Sequence, residues 1–428
     1  MDEYRLDGMT WIEHELDVPL DHDAAQGPTL RLFAREIVPL GASRERPALL
    51  FLQGGPGGAA PRPRAKDGWI AAALEAGFRV VLLDQRGTGR STPIDAHTAF
   101  ADADEGARYL ARFRADAIVA DAELLRRELL GADGRWTLLG QSFGGFVALH
   151  YLSVAPHALE GVMITGGLPS LERPALDVYR ACLEVLERKA RRFAERHPRE
   201  VETLRTLIAY AQEHDVRLPD GSPLRHEGVR QLGFQLGALP GERVLAELLE
   251  TALVADGARW RPSYGFLDAV ARARPFHVSP IYALLHEAIY AQGEATRWAA
   301  QRALDERLAA RGAGADAAAP VPWLSAEMVF PWHFEDVVSL RPWRAVAQRL
   351  AAKDDWPALY DTAQLARNRV PVAAVAYADD LYVPLAFSQE TADAVHGTRL
   401  WITNEFEHDG IRAHGERIFE RLLAMVRS

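Results

Sequence analysis

Hydrophobic and polar residues alternate with a two-residue period at the start of the chain. In TWIEHELDVPL and TLRLFAREIVP this alternation predicts antiparallel strands at the edge of a sheet. Short apolar runs that end in glycine-rich or polar turns come next, separated by helical segments such as Ala115–Leu129. The same order returns near the C-terminus, in PVAAVAYADD and TRLWITNEFEHDG, before a final helix. Strands that alternate with helices predict an α/β fold with a mostly parallel central sheet.

The strand pattern disappears between about residues 170 and 360. Amphipathic helices rich in arginine and glutamate replace it, DVYRACLEVLERKARRFAERH among them, and RGAGADAAAPVP is predicted to be a loop. A chain of 428 residues is long enough for one domain with a sizeable insertion. We therefore predict an α/β core formed by residues 1–169 and 361–428, with residues 170–360 inserted as a helical cap domain.

The charge balance and the cysteine content narrow the class of protein. A formal net charge of -10 indicates neither a nucleic-acid footprint nor attraction to anionic membranes. No apolar run reaches the roughly 18 residues that a membrane helix needs, and MDEYRLDGMTWIEHELDVPLDH lacks the basic and apolar parts of an export signal. The single cysteine, Cys182, excludes an internal disulfide. We expect a cytoplasmic protein without nucleic-acid or membrane partners.

One serine, Ser142, lies between two glycines at the end of a predicted strand. Gly140, Ser142 and Gly144 follow an apolar strand segment and precede a helical one, as the G-x-S-x-G pattern requires. In that pattern a sharp strand-to-helix turn raises the serine oxygen above the sheet, where it acts as a nucleophile. A plain glycine turn is the alternative reading, and the flanking strand and helix favour the nucleophile.

An earlier glycine-rich turn, in LLFLQGGPGG, offers backbone N–H groups for a developing negative charge. The N–H of Gly55 and that of Phe143, directly after the serine, form the pair we expect to act as an oxyanion hole. Phosphate binding is a rival use of such a loop, but no G-K-[ST] follows it. A simple tight turn is the remaining alternative.

A serine nucleophile needs a base and an acid that orients the base. In α/β hydrolases the chain order is serine, acid, histidine, so the acid belongs after a late strand and the base after the last one. Asp379 and Asp380 follow one such strand; we prefer Asp380, which begins Asp-x-x-Val-Pro, and keep Asp379 as the alternative. His408 fits the base, whereas His414 is expected at the start of the last helix. The other histidines lack metal-ligand spacing, so we predict no metal site.

Five motifs together resemble those of one enzyme family. They are GGPGG at 54–58, DQRGTGRS at 84–91, GQSFGGF at 140–146, DDLYVP at 379–384 and EFEHDG at 405–410. With them the chain resembles the proline iminopeptidases (prolyl aminopeptidases), serine peptidases of the α/β-hydrolase superfamily, over most of its length. It is most similar to their larger branch, which has an expanded cap. One departure is Gln53, where many members carry histidine before the glycines.

The resemblance implies a role for each residue of the site. Ser142 would be the nucleophile, His408 the base and then the acid, and Asp380 the partner that orients the imidazole. The enzyme would release N-terminal proline through an acyl-enzyme, without a cofactor, from peptides whose N-terminus is free. Asp84 and Arg86 are expected to support the glycine loop as salt-bridged structural residues rather than to react.

An aminopeptidase of this kind must bind a protonated amine, and in a partly buried site that requires carboxylates. The resemblance implies that glutamates of the cap serve this purpose, as they do in the family. Glu287 and Glu327 are the candidates here, because each is a lone acid among apolar and aromatic residues, with Glu335 and Asp336 as lesser choices. A solvated acid on a helix face is the alternative for each.

The proline ring requires a small apolar pocket, for which aromatic residues near the other candidates are available. We consider five of them, with Trp332 and Phe143 first: Phe143, Tyr282, Phe330, Trp332 and Phe334. Ordinary core packing is the alternative for all five.

Two other functions share parts of this pattern. An α/β-hydrolase esterase, or an aminopeptidase of other N-terminal specificity, would use the same triad, but an esterase has no use for cap carboxylates. A non-catalytic binding module on the same fold would usually lack a triad member, and here each member has a candidate. A homo-oligomer is compatible with the amphipathic cap helices, and so is a monomer.

Overall fold

A nine-stranded sheet lies at the centre of the structure. The computed structural model describes residues 2–24, 26–63, 68–274, 276, 278–312 and 319–428. The strands of the sheet are β1 (Asp2–Leu6), β2 (Met9–Pro19), β3 (Thr29–Pro39), β4 (Ala48–Leu52), β5 (Arg79–Asp84), β6 (Trp136–Gln141), β7 (Leu159–Thr165), β10 (Val372–Tyr377) and β11 (Thr398–Thr403), with β8 (Leu253–Asp256) and β9 (Arg259–Pro262) forming a separate hairpin. Their order in the large sheet is β1-β2-β3-β5-β4-β6-β7-β10-β11.

The N-terminal strands form the antiparallel edge that their alternating pattern predicts. The strands β1, β2, β3 and β5 pair antiparallel in that order, with Met9 opposite Pro39 and Phe33 opposite Asp84. From β5 through β4, β6, β7 and β10 to β11 all pairs are parallel. Every residue of β4, β6 and β10 is buried, which explains their continuous apolar runs, since parallel strands are covered on both faces.

Helices cover both faces of the sheet and form the segment inserted between β7 and β10. They are α1 (Gly68–Glu75), α2 (Ala103–Leu110), α3 (Ala115–Leu130), α4 (Phe143–Val154), α5 (Ala175–Arg196), α6 (Pro198–Glu213), α7 (His226–Arg230), α8 (Gly241–Glu250), α9 (Tyr264–Arg272), α10 (Pro280–Leu285), α11 (Ala299–Arg311), α12 (His333–Asp336), α13 (Arg344–Ala352), α14 (Thr362–Ala366), α15 (Leu385–Ala394), α16 (Gly410–Ala413) and α17 (Gly415–Arg427). Trp69 of α1 and Phe419 of α17 belong to the core on one face of the sheet. Ile118 of α3 and Val147 of α4 belong to the larger core that continues into the inserted helices.

The inserted segment is mainly helical, and the division into core and cap at residues 170 and 360 stays a prediction. The hairpin of β8 and β9 corrects the expectation that this segment has no strands. Its strands are four residues long and mostly exposed, so no buried apolar run marks them in the sequence. Of the predicted loop 311–322, Arg311 ends α11 and residues 313–318 lie outside the described residues. In the described part of the chain, no helix is both long and apolar enough to cross a membrane.

Candidate active site

The turn between β6 and α4 holds Ser142 in an unusual backbone conformation. Its φ of 53° is in the left-handed region, which non-glycine residues rarely adopt and which is retained when the surroundings enforce it. A Cβ on Gly144 would lie 1.9 Å from the carbonyl oxygen of Leu52, so helix α4 approaches β4 too closely for any side chain there. This close approach explains why a glycine follows the serine at that spacing.

Ser142, His408 and Asp380 form a continuous hydrogen-bonded array. His408 Nε2 lies 2.9 Å from Ser142 Oγ, and His408 Nδ1 lies 2.8 Å from Asp380 Oδ2. The N–H groups of Tyr382 and Val383 donate to Asp380 Oδ1 at 2.9 and 3.0 Å, which holds the carboxylate in place. Three loops supply these side chains, after β6, β10 and β11, and the strands are parallel, so the loops meet at one edge of the sheet.

The charge of Asp380 governs the protonation of His408. Burial by itself would lower the pKa of His408, because it disfavours the charged imidazolium. The charge and hydrogen bond of Asp380, with a smaller contribution from Glu327, outweigh burial and raise the pKa of His408 above its ordinary value of 6.5. The array therefore stabilises an imidazolium, which a general base needs once it has taken a proton.

Asp379 and His414, the alternative candidates for the acid and the base, contact other residues instead. Asp379 is partly exposed and pairs with Arg192 at 2.8 Å. Burial opposes ionisation of Asp379, yet this ion pair lowers the pKa of its carboxyl. His414 is the N-terminal cap residue of α17, and its ring packs against Phe406 at 4.8 Å between ring centroids.

The glycine loop after β4 lies directly against the serine. A Cβ on Gly54 would be 2.9 Å from the Cβ of Ser142, so only glycine lets the loop come this close. Gly55 lines the same cleft as Ser142. Phe143 is the first residue of α4, where backbone N–H groups have no partner within the helix and the helix dipole favours negative charge. Both proposed oxyanion donors thus belong to segments next to Ser142.

Buried polar contacts support the glycine loop and its surroundings. Asp84 Oδ1 accepts from the Ala60 N–H at 3.0 Å, and the same carboxylate pairs with Arg62 at 2.7 Å. Arg86 is paired separately, with Asp121 at 2.7 Å. From the inserted segment, Ser279 Oγ donates to the carbonyl of Gly57 at 2.8 Å. The loop is therefore held from both the core and the inserted helices.

Ser142 and His408 open into a cleft of about 760 Å³, a volume typical of small-molecule and peptide sites. Its other walls are the glycine loop and residues of the inserted segment, which include Phe234, Tyr282 and Glu327. The side chain of Glu327 is 19% exposed, and the Tyr282 hydroxyl donates to it. A carboxylate thus lies in the same cleft as the serine.

The carboxylate of Glu327 has no permanent cationic partner among the described residues. His286 Nε2 lies 4.0 Å from Glu327 Oε2, but burial lowers the pKa of His286 to about 4, so this imidazole is neutral at pH 7. Burial raises the pKa of Glu327 itself, and His408 and the Tyr282 hydroxyl oppose that rise. An ammonium group entering the cleft would supply the missing positive charge.

The chain is 46% identical over 428 residues to the proline iminopeptidase of Aeromonas sobria, and the match covers 99% of this chain and 98% of that protein. The chain belongs to the proline iminopeptidase family. A proline iminopeptidase of Aspergillus aculeatus is 34% identical, with 96% and 93% covered. A family profile described as alpha/beta hydrolase fold matches residues 47–224. The predicted family and the predicted α/β-hydrolase fold are confirmed.

A solved structure also aligns with most of the chain, at lower sequence identity than these relatives. The crystal structure of proline iminopeptidase from Mycobacterium smegmatis aligns over 97% of this chain and 98% of that chain, with a TM-score of 0.48 and 15% identity.

In this member of the proline iminopeptidase family, Glu287 is not among the described residues that line the cleft with Ser142, so the geometry does not support its predicted role in binding the substrate amine. Its Oε1 accepts from the Ala300 N–H at 2.9 Å, at the start of α11, and it lines a separate small cavity of about 20 Å³. Burial raises the pKa of Glu287, against the effect of this backbone hydrogen bond. The lesser candidates Glu335 and Asp336 pair with arginines, at 3.0 and 3.2 Å.

The aromatic candidates are divided between the cleft and the core. Trp332 stacks on His333 at 3.8 Å between centroids and is not among the described residues that line the cleft, so the geometry does not support its predicted place in the ring pocket. Of the five candidates, Tyr282 lines the cleft. The sequence did not point to Phe234 and Tyr382, which are the other aromatic residues in the described wall of the cleft. Tyr382 follows Asp380 by two positions, and that spacing was the available signal.

Proposed function

We propose that this protein is a serine aminopeptidase that releases proline from the N-terminus of peptides. One observation carries the proposal: Ser142 and His408, which Asp380 supports from beneath, line the same cleft as the carboxylate of Glu327. The first group fits attack on a carbonyl carbon, and the second fits recognition of a free amine. The relatives named proline iminopeptidase, which match nearly the whole chain, support the same substrate.

In the first half of the proposed reaction, Ser142 Oγ attacks the carbonyl carbon of the N-terminal proline. Its proton moves to His408 Nε2, which lies 2.9 Å away. The carbonyl oxygen becomes an oxyanion, which the N–H groups of Gly55 and Phe143 stabilise. The C–N bond then breaks, His408 returns the proton to the leaving amine, and proline is left as an ester on Ser142.

In the second half, a water molecule attacks this ester. His408 takes the water proton and returns it to Ser142 Oγ as the acyl–oxygen bond breaks, which frees proline. Asp380 keeps the same contact with His408 Nδ1 throughout and stabilises the imidazolium in both halves. These steps consume one water and need no oxidant, metal or cofactor.

Selection for a free N-terminus is assigned to Glu327. The protonated secondary amine of proline would pair with its carboxylate, and Phe234, Tyr282 and Tyr382 would enclose the ring. The Tyr382 ring packs edge-on against His408 at 4.8 Å, so a ring held there would lie beside the reacting groups. An acetylated amine has no charge for Glu327 and adds bulk where the ammonium would lie.

We also propose that the protein works in the cytoplasm, on small peptides rather than on nucleic acid or membranes. Its net charge of -10 and its single cysteine, which is buried and not in a disulfide, fit that location. A homo-oligomer stays a proposal, to be tested by the mass of the protein in solution.

The proposed function is tested with four substrates and one purified protein. Fluorophore release is measured from the amidomethylcoumarin derivatives of H-Pro, H-Ala and N-acetyl-Pro, beside hydrolysis of a p-nitrophenyl ester. We expect rapid release from H-Pro and none from N-acetyl-Pro. Hydrolysis of the ester without release from H-Pro would support an esterase and overturn the proposal.

Glu327→Gln is expected to lower kcat/KM for H-Pro-amidomethylcoumarin by on the order of 100-fold, mainly through KM, because truncating one partner of a buried charge pair costs about 3 kcal/mol. Hydrolysis of the ester, which has no amine, should stay within about twofold of the native rate. Glu287→Gln is the matched control, since glutamine keeps the acceptor for the Ala300 N–H. Equal losses with both substrates, or the larger KM increase in Glu287→Gln, would contradict the assignment.

The pH dependence should reflect His408. Its neutral imidazole is the base, so kcat/KM is expected to rise with pH as His408 loses its proton, and Asp380 puts that pKa above 6.5. The ester should show the same rising limb, because it uses the same base. H-Pro substrates should show a second loss at high pH, where the substrate amine becomes neutral and no longer pairs with Glu327. A rising limb centred below pH 6.5 for both substrates would contradict the raised pKa.

A further inference from the structure

The substrate cleft contains one basic side chain that the proposed reaction does not use. Arg412, in α16, is exposed and is the only lysine or arginine among the described residues that line the cleft. Its guanidinium forms no hydrogen bond or ion pair with another side chain in the part of the chain that the structure describes. By contrast, Arg62, which contacts the support of the glycine loop, is paired with Asp84.

The position of Arg412 in the chain, shortly after the proposed base, places it on the side of the cleft where the leaving group is expected. Arg412 follows His408 by four residues, in the loop and short helix that start from the proposed base. His408 must reach the leaving amine to protonate it, so the residue after proline has to pass this segment. Burial lowers the pKa of His408 and the Asp380 charge raises it, and the positive charge of Arg412 adds a smaller lowering effect, consistent with its place on the same cleft wall.

The acidic residues next to Arg412 do not neutralise it. Asp409 Oδ1 accepts from the Leu239 N–H at 3.0 Å, which ties that carboxylate to the inserted segment. Asp95, also on the cleft wall, accepts from the His97 N–H at 2.8 Å. Burial and the His408 charge affect the pKa of Glu327 more than the Arg412 charge does. No ion pair joins the Glu327 and Arg412 side chains in the described structure. The guanidinium is thus available to a ligand.

We propose that Arg412 binds the C-terminal carboxylate of short substrates and so favours dipeptides that begin with proline. The inference rests on the proposed function and adds the class of peptide that the same cleft prefers. A dipeptide carries a positive amine and a negative carboxylate, and the cleft offers Glu327 to the first and Arg412 to the second. One residue spans at most about 3.6 Å, so the carboxylate of a dipeptide lies close to the bond that breaks, beside the segment of His408. Arginine binds carboxylates through paired N–H donors, which adds geometric selection to the charge.

The test compares Pro-Ala with Pro-Ala-NH₂, which differ only in the terminal carboxylate. The native protein should have a higher kcat/KM for Pro-Ala, and the preference should fall as salt is added, because the contact is exposed. Arg412→Gln should lower kcat/KM for Pro-Ala by about tenfold and leave Pro-Ala-NH₂ within about twofold. Arg412→Lys should keep part of the preference. Any change in the pKa of His408 affects both peptides equally, so their ratio isolates carboxylate binding.

Arg417→Gln is the matched control, because this exposed arginine lies in the neighbouring helix α17 and pairs with Glu405 at 2.6 Å. Its ratio of Pro-Ala to Pro-Ala-NH₂ should equal that of the native protein. Equal losses with both peptides in Arg412→Gln, or no native preference for Pro-Ala, would overturn the inference while leaving proline release intact. Failure of the native protein to cleave any of the proline substrates would instead overturn the proposed function.

Discussion

Ser142→Ala is expected to reduce proline release by about 10⁶-fold, to the level of binding and oxyanion stabilisation alone. Alanine has no oxygen to form the acyl-enzyme, while its methyl group fits where the serine Cβ lies against Gly54. The variant should fold normally, because the serine hydroxyl lies in the open cleft and its removal eliminates, among the described residues, only the hydrogen bond with His408. The measurement is kcat with H-Pro-amidomethylcoumarin, together with covalent labelling by a fluorophosphonate, which should disappear.

Ser153→Ala is the control for this loss. Ser153 lies in α4, the helix that directly follows the proposed nucleophile, and its buried hydroxyl donates to the Leu149 carbonyl at 3.0 Å. Its removal should lower stability by about 1 kcal/mol and leave labelling unchanged. A labelled and active Ser142→Ala protein would show that the nucleophile is another residue.

The second large effect is expected from Asp380→Asn. Asparagine presents an N–H₂ or a neutral carbonyl to His408 Nδ1, so it no longer selects the tautomer whose Nε2 accepts the serine proton, and no charge stabilises the imidazolium. Loss of that role in a serine triad costs about 10⁴-fold in kcat. KM should change little, because Asp380 is buried beneath His408 and does not line the described part of the cleft.

Asp379→Asn distinguishes the two neighbouring carboxylates. It removes the partly exposed ion pair with Arg192, whose contribution to stability is at most about 1 kcal/mol, and should leave kcat within about twofold. The two variants have the same change of charge and adjacent positions, so their difference reports the contact with His408. A greater loss of kcat in Asp379→Asn than in Asp380→Asn would reverse the assignment.

Much of the fold is predictable because its elements are formed by local patterns. Alternation predicted the antiparallel edge of β2 and β3, and continuous apolar runs predicted the buried parallel strands. The hairpin Leu253–Asp256 and Arg259–Pro262 was missed, because its strands are short and exposed and carry no apolar run. The pattern of apolar and polar residues reflects which side chains are buried. A strand with few buried side chains therefore has no recognisable pattern.

In the candidate site, too, some residues were predictable from their neighbours in the sequence. Ser142 could be proposed from its neighbours, since glycines are required where α4 passes β4 and where the loop at Gly54 meets the serine. The preference for Asp380 over Asp379 came from the residues that follow it. The structure brings Ser142, Asp380 and His408 together, and their catalytic roles stay a prediction until the variants are measured.

The cap residues were less predictable. Glu287 and Glu327 look alike in sequence, each a lone acid among apolar and aromatic side chains. In the structure Glu287 accepts from the start of α11, whereas Glu327 meets Tyr282, which is 45 positions away in the chain, at the wall of the cleft. Neither contact leaves a periodic signal.

By itself, the sequence determined the family, the alternation of strands and helices in the α/β core, and the candidates for the reacting groups, because these depend on contacts between near neighbours and on short motifs. Only the tertiary structure decided which acid and which aromatic residues line the cleft with Ser142, and that Arg412 lies on the same cleft wall without a side-chain partner among the described residues. The physical reason is that the cleft lies between two segments packed against each other. Which side of each inserted helix faces the cleft depends on that packing, through contacts between residues far apart in the chain.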